Sequence, residues 1–138
     1  MAFLVDTNVL SELRKSAARR NAGVARWAAD VAASKVFISV ISVAELSCWV
    51  AKVERRDAAQ GEILRNWFEG TILAEAAGKI LALDIGSAAR AGALHVPDPR
   101  DYRDAFIAAT ALEHALTVVT RNVADFEPMG VRLVNPFE

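Results

Sequence analysis

Four short runs of aliphatic and β-branched residues most constrain what this chain can fold into. They are Phe3-Leu4-Val5, Val36-Phe37-Ile38-Ser39-Val40, Leu116-Thr117-Val118-Val119-Thr120 and Val131-Arg132-Leu133-Val134, with a poorer fifth run at Ile80-Leu81-Ala82-Leu83. A strand wetted on one face alternates apolar and polar residues. Most of these runs are continuously apolar, which is the pattern of strands covered on both faces and so of a parallel sheet. Helical stretches separate them, at 8–15 and 22–33, then 43–53 and 57–76, then 86–94 and 101–115. Strand–helix–strand repetition of this kind predicts a three-layer α/β/α sandwich with right-handed crossovers.

Breakers are few, with 7 Gly and 4 Pro, and the one clear loop is Val96-Pro97-Asp98-Pro99-Arg100. With no repeat and no linker, the 138 residues read as one domain spanning 1–138. The charge balance, 16 Lys+Arg against 17 Asp+Glu, argues against a chain that holds nucleic acid by bulk positive field. No apolar stretch approaches the roughly 20 residues of a membrane span, and no basic leader opens the chain, so a cytoplasmic protein is expected. Cys48 is the only cysteine and reads as buried and inert, in keeping with a reducing compartment.

Chemistry enters with four acids. Asp6 directly follows the first apolar run, and in an open parallel sheet ligands bind outside the carboxyl ends of the strands. Glu45 follows the second run by five residues, Asp125 follows the Thr117 run by five, and Asp104 opens the helix before that run. Ser42-x-x-Glu45, Asp101-x-x-Asp104 and Asn122-x-x-Asp125 all have capping spacing, so each later acid has an alternative reading as a helix-start residue. Asp6 stands outside that pattern, because Thr7 or Asn8 looks the better cap for the helix that follows.

Convergence separates the readings. Two unit charges about 4 Å apart repel by roughly 4 kcal/mol at an effective dielectric near 20, so carboxylates that meet either raise their pKa values or take a cation. An all-oxygen donor set suits Mg²⁺ or Mn²⁺ better than zinc. A carboxylate-held divalent ion without a phosphate-cradling glycine loop fits metal-assisted phosphodiester hydrolysis.

The segments carrying these acids resemble the PIN-domain nucleases. Leu4-Val5-Asp6-Thr7-Asn8-Val9-Leu10-Ser11-Glu12 looks like their opening motif, and Ile38-Ser39-Val40-Ile41-Ser42-Val43-Ala44-Glu45-Leu46 like the second acidic motif. Asp104-Ala105-Phe106-Ile107-Ala108-Ala109-Thr110-Ala111 and Thr120-Arg121-Asn122-Val123-Ala124-Asp125-Phe126 look like the third and fourth, and the ending 131–137 is similar as well. The short form resembles the VapC/FitB-type toxins of type II toxin–antitoxin operons. The resemblance implies a PIN fold with a parallel sheet of about five strands and an Mg²⁺- or Mn²⁺-dependent endoribonuclease activity. It implies that Asp6, Glu45, Asp104 and Asp125 hold metal and position water. Asp6 and Asp104 are then the first candidates for direct contact, and Glu45 is either a ligand or the holder of a metal-bound water. Thr7, Asn8, Thr120 and Asn122 match supporting positions. An RNA substrate, a cognate antitoxin, a homodimer and a larger toxin–antitoxin assembly are the implied partners. The segment 55–95 matches only loosely.

Basic residues lie near these motifs. Arg14 and Lys15, with Arg19 and Arg20, follow the first helix, and Arg100, Arg103 and Arg121 lie close to Asp104 and Asp125. They read either as phosphate contacts that position RNA or as a solvated face, Arg121 also as a strand-end side chain turned away. Trp27, Trp49 and Trp67 read as core, with an interface as the alternative. Ile63, Leu64, Trp67 and Phe68 form one helical face. The rival to the nuclease reading is a non-catalytic PIN-like binding module acting through a protein partner. A receiver-like phosphotransfer domain fits poorly, since Asp84 is the sole acid after the weak run.

Overall fold

The structure, a computed structural model, describes all 138 residues. Asp6 ends strand β1 (Phe3–Val5) and starts helix α1 (Thr7–Leu13) as its N-cap, its side chain accepting the Thr7 N–H. The expected caps, Thr7 and Asn8, instead lie inside the helix. Helix α2 (Ala22–Asp30) is capped by Asn21, whose side chain accepts the Val24 N–H. Strand β2 (Val36–Ser39) runs straight into the long helix α3 (Val40–Arg56), with Ser39 as cap. This helix begins three residues earlier than the sequence suggests, so Ser42 and Glu45 both lie within it and form no capping box.

The stretch 57–76 is not one α-helix. Helix α4 (Ala58–Trp67), capped by Asp57, passes into π-helical turns over Phe68–Glu75. Leu64 and Phe68 are buried there, while Ile63 is 59% exposed, so the expected four-residue face is only partly used. Strand β3 (Ile80–Leu81) is shorter than its apolar run, and helix α5 (Ile85–Ala93) follows, capped by Asp84. After the proline loop come helix α6 (Tyr102–Glu113), capped by Asp101 with Asp104 in its first turn, and strand β4 (Thr117–Val119). The short helix α7 (Val123–Phe126) and strand β5 (Leu133–Val134) complete the order.

All five strands pair in parallel, in the order β3-β2-β1-β4-β5. The chain winds outward from β1 to β3, then returns to lay β4 on the other side of β1. The order therefore reverses between β1 and β4, and the crevice at the carboxyl ends of those two strands is where a sheet of this type binds ligands. In register, Val5 lies opposite Val119, and the Asp6 N–H continues the ladder to the Val119 carbonyl at 2.9 Å.

Side chains that alternate across the strands build two cores, which explains the continuous apolar runs. On one face Val5, Ile38 and Val119 meet Val9, Leu10, Leu46 and Val50 from α1 and α3. On the other Leu4 and Val118 meet Ala105, Ile107, Ala108 and Phe126 from α6 and α7. The alanines let α6 sit close to the sheet. At Gly61 a β-carbon would fall 2.5 Å from the Glu54 Cα, so glycine there is what allows α4 to close on α3. The three tryptophans are half-buried at the margin of the first core, and Cys48 is exposed on α3, against the expectation of a buried thiol. No helix is long and apolar enough to cross a membrane.

Candidate active site

The crevice opens into a polar cleft of about 620 Å³, and all four acids singled out above line it. Asp6 comes from the end of β1, Glu45 from α3, Asp104 from the first turn of α6 and Asp125 from α7. Ser11, Arg100, Asp101 and Arg103 complete much of the wall. Ser11 and Asp101 were not legible as cleft residues, although the Asp101 cap was. The Ser11 hydroxyl donates to the Thr7 carbonyl one turn back, an ordinary helical habit that gives no outward sign of a site.

Asp6 is 5% exposed and accepts three donors. The Thr7 N–H (2.8 Å) reaches Oδ1, while the Thr120 hydroxyl (2.8 Å) and Asn8 Nδ2 (3.3 Å) reach Oδ2. Thr120 is itself fixed, its oxygen accepting the Asn122 N–H at 3.0 Å. Asn8 Oδ1 accepts the Arg121 N–H at 3.2 Å. Supporting residues on both sides of the crevice thus orient one carboxylate. Burial still lifts the Asp6 pKa above its ordinary value, against the pull of the Thr120 and Thr7 hydrogen bonds and with added repulsion from Glu45 and Asp125.

Asp104 is pushed up to about 6, first by burial and then by repulsion from Asp6, Asp101, Asp125 and Glu45. Every one of these charges lies in the cleft, so Asp104 registers the convergence on which the site depends. Glu45 is held differently. The Thr7 hydroxyl, which also lies 3.0 Å from Ser42 Oγ, donates to Glu45 Oε1 at 2.8 Å, and Arg103 faces Oε2 at 3.5 Å. The Arg103 guanidinium also pairs with Asp101 at 3.0 Å and so bridges two acids.

The donor set fits a hard divalent cation. It offers carboxylate oxygens with no thiolate or imidazole, and it carries surplus negative charge that Arg103 offsets only at one side. No three of the carboxylates stand together as a finished coordination cage. Asp125 is exposed and Glu45 is drawn toward Arg103 and Thr7, so loading would require modest side-chain rotation.

The other basic residues are less uniform than their sequence suggests. Lys15 pairs with Glu12 at 3.0 Å, and Arg20 donates to the Leu13 and Lys15 carbonyls. Arg14 lies over Trp49, 5.5 Å from the ring centroid. The Arg121 guanidinium stacks on Phe137 at 3.9 Å and lies outside the cleft lining. Arg100 and Arg103 are the basic side chains of the cleft itself.

A family model for the PIN domain matches residues 3–127. The chain belongs to the PIN-domain family. Its sequence is 31% identical to the VapC ribonuclease Y4jK of Sinorhizobium fredii, over 99% of this chain and 98% of that protein. It is 34% identical to toxin FitB of Neisseria gonorrhoeae, over 98% of each. The crystal structure of FitAcB from the same organism contains a chain that superposes with a TM-score of 0.89 at 33% identity, covering 99% of both. The five-stranded parallel sheet between helical layers is thus a PIN fold, and the acidic cleft lies at its switch point.

Proposed function

We propose that this PIN-domain protein is an Mg²⁺- or Mn²⁺-dependent endoribonuclease and the toxin half of a toxin–antitoxin pair. The observation that carries the reading is the polar cleft at the switch point of the sheet, lined by the carboxylates of Asp6, Glu45, Asp104 and Asp125. A ribonuclease and a toxin among its near full-length relatives support the choice of RNA and of the biological setting.

When bound, the ion supplies charge neutralisation at the scissile phosphate and a water of lowered pKa. Asp6, locked by Thr7, Asn8 and Thr120, and Asp104 would hold it, and Asp125 would close the set from α7. Glu45, steered by Thr7, is placed to orient the attacking water by accepting its hydrogen bond at Oε1 or Oε2. Arg100 and Arg103 give the phosphates a contact that carries no base preference. The acids alone would repel RNA, so binding and metal loading are coupled. A cognate antitoxin, assembly as a homodimer or larger complex, and action in the cytoplasm belong to the same reading.

Replacing Asp6 with Asn tests it. The variant should keep the wild-type far-ultraviolet circular dichroism, lose RNA cleavage in Mg²⁺ and no longer arrest growth when expressed. Cleavage by wild-type protein that persists in chelator would remove the metal from the mechanism. Growth arrest without cleavage of any RNA would favour the non-catalytic binding module.

A further inference from the structure

We infer that His95 is a positioning residue of the acidic cleft: by pinning the Arg100 backbone it holds that guanidinium clear of the acids, as the seat for an RNA phosphate. The inference rests on the ribonuclease reading and deepens it, naming which cation meets the substrate backbone and what sets that cation in place.

The cleft holds two cations, and they are in different states. Arg103 lies 3.5 Å from Glu45 and 3.0 Å from Asp101, so whatever it offers a phosphate is shared with two acids. Arg100 lines the same cleft, among Asp6, Glu45, Asp101, Asp104 and Asp125, and forms a salt bridge with none of them. Its side chain is half-buried, and its Nε is shut off from solvent with no acceptor. An unpaired guanidinium in a cleft of that charge is a cation without its counter-ion. The anion it suits has oxygens set to meet its planar fork, which a phosphodiester supplies.

What keeps Arg100 in that state is the loop between α5 and α6. Pro97 and Pro99 have no N–H to give. Between Val96 and the Asp101 cap, the one hydrogen bond that the loop backbone donates runs from the Arg100 N–H to His95 Nδ1, at 3.0 Å. His95 is anchored on both sides of the loop. Its own N–H donates to the Gly92 carbonyl of α5, and its ring lies 4.6 Å from that of Tyr102, the first residue of α6. The four residues between His95 and Arg100 are exposed, so no packing there does the same work. Accepting at Nδ1 puts the proton of the neutral ring on Nε2, and that nitrogen is buried without a partner. A buried donor with no acceptor is a standing cost to stability, and the ring's one side-chain hydrogen bond is the one that sets Arg100.

The test reads RNA affinity by fluorescence anisotropy with a labelled single strand of about twelve nucleotides. Ca²⁺ replaces Mg²⁺, so that a hard cation fills the cleft, and a gel checks that the strand stays whole. Arg100→Ala should weaken binding about five-fold at low salt. It should also make the slope of log affinity against log salt shallower by about 0.7, the share of one phosphate on a single strand. His95→Leu should reproduce most of both changes. His95→Asn, whose Oδ1 lies where Nδ1 did, should restore them, and His95→Gln, whose acceptor lies further out, should not. In the Arg100→Ala background, His95→Leu should weaken binding no further. The role is overturned if His95→Leu binds as wild type, if its loss leaves the salt slope unchanged, if asparagine fails to restore binding, or if the two losses add. Mg²⁺-dependent cleavage of RNA by the wild-type chain, measured alongside, keeps the two readings separate. If that chain cuts RNA while His95→Leu binds normally, only the role of His95 fails, and if it neither binds nor cuts RNA, both fail.

Discussion

Asp104→Asn should stabilise the metal-free protein, and only above a definite pH. In the folded chain the Asp104 carboxyl sits at about 6, against an ordinary value of 3.8, because burial and four neighbouring acids oppose its charge. Below pH 4 the group is protonated in both the folded and unfolded chain, and its shift has no effect on stability. Between 4 and 6 the unfolded chain loses the proton while the folded chain keeps it, so ionisation increasingly favours unfolding. Above 6 the penalty is complete. A shift of about two units corresponds to roughly 3 kcal/mol at 1.36 kcal/mol per unit, and solvent in the open cleft reduces that to about 1–2 kcal/mol. Asparagine keeps the shape and removes the charge. Urea unfolding of both proteins in chelator, at pH 4 and pH 8, should therefore show a difference that grows by about 1–2 kcal/mol in favour of the variant at the higher pH. A gap that does not change with pH would refute the idea that Asp104 sits among repelling acids. Adding Mg²⁺ at pH 8 should stabilise the wild-type chain more than the variant, because the charge that destabilises the empty site is the one that binds the ion.

Thr120→Val removes the hydroxyl that donates to buried Asp6 and should cost about 1.5–3 kcal/mol at pH 8. The cost should shrink in acid, where Asp6 is protonated, as urea titration at two pH values would show. Arg103→Ala releases Glu45 from its internal cation and should tighten Mn²⁺ binding by a few-fold at most, since an exposed pair is worth only about 0.2–1 kcal/mol; calorimetry reads this directly. Leu46→Ala, at a fully buried position in the first core, should destabilise by about 2–5 kcal/mol and lower the melting temperature in a thermal scan.

How much of this was legible depended on how locally each feature is determined. β1 and β4 could be read directly, because the consecutive pairs Leu4-Val5 and Val118-Val119 bury one side chain on each face of the sheet and suit little else. The start of α3 could not. Ser39 and Ser42 are equally good caps in isolation, and what selects Ser39 is the end of pairing with β3 at Leu81. The break in 57–76 was hidden because Phe68 and Ile72 keep an apolar spacing that suits an α-helix as well as π-helical turns. Asp6, Glu45 and Asp125 could be nominated because strand ends fix their position in a parallel sheet, whereas Asp104, at the start of α6, is nominated by the motif it opens and depends on the turn after Pro99 to reach the same edge. The partners of Arg103 and Arg121 could not, since long side chains choose among neighbours that only the packing of α3 against α6, or of the C-terminal segment, brings within reach. Cys48 misleads for a related reason: apolar neighbours in sequence do not reveal which side of a helix meets the core.

The coupling of Asp6 to Thr120 spans 114 residues, and it has a consequence for synthesis. No contiguous fragment shorter than residues 6–125 contains the four acids, and β4, which Thr120 follows, must slot beside β1, made well before it. At ribosomal rates of about 5–20 residues per second, the earliest-made acid waits several seconds for its last companions. A nascent or prematurely ended chain therefore carries scattered, solvated carboxylates and no cleft. Until Asp125 and Thr120 have been added, Asp6 has neither its hydroxyl donor nor the last of its acidic neighbours.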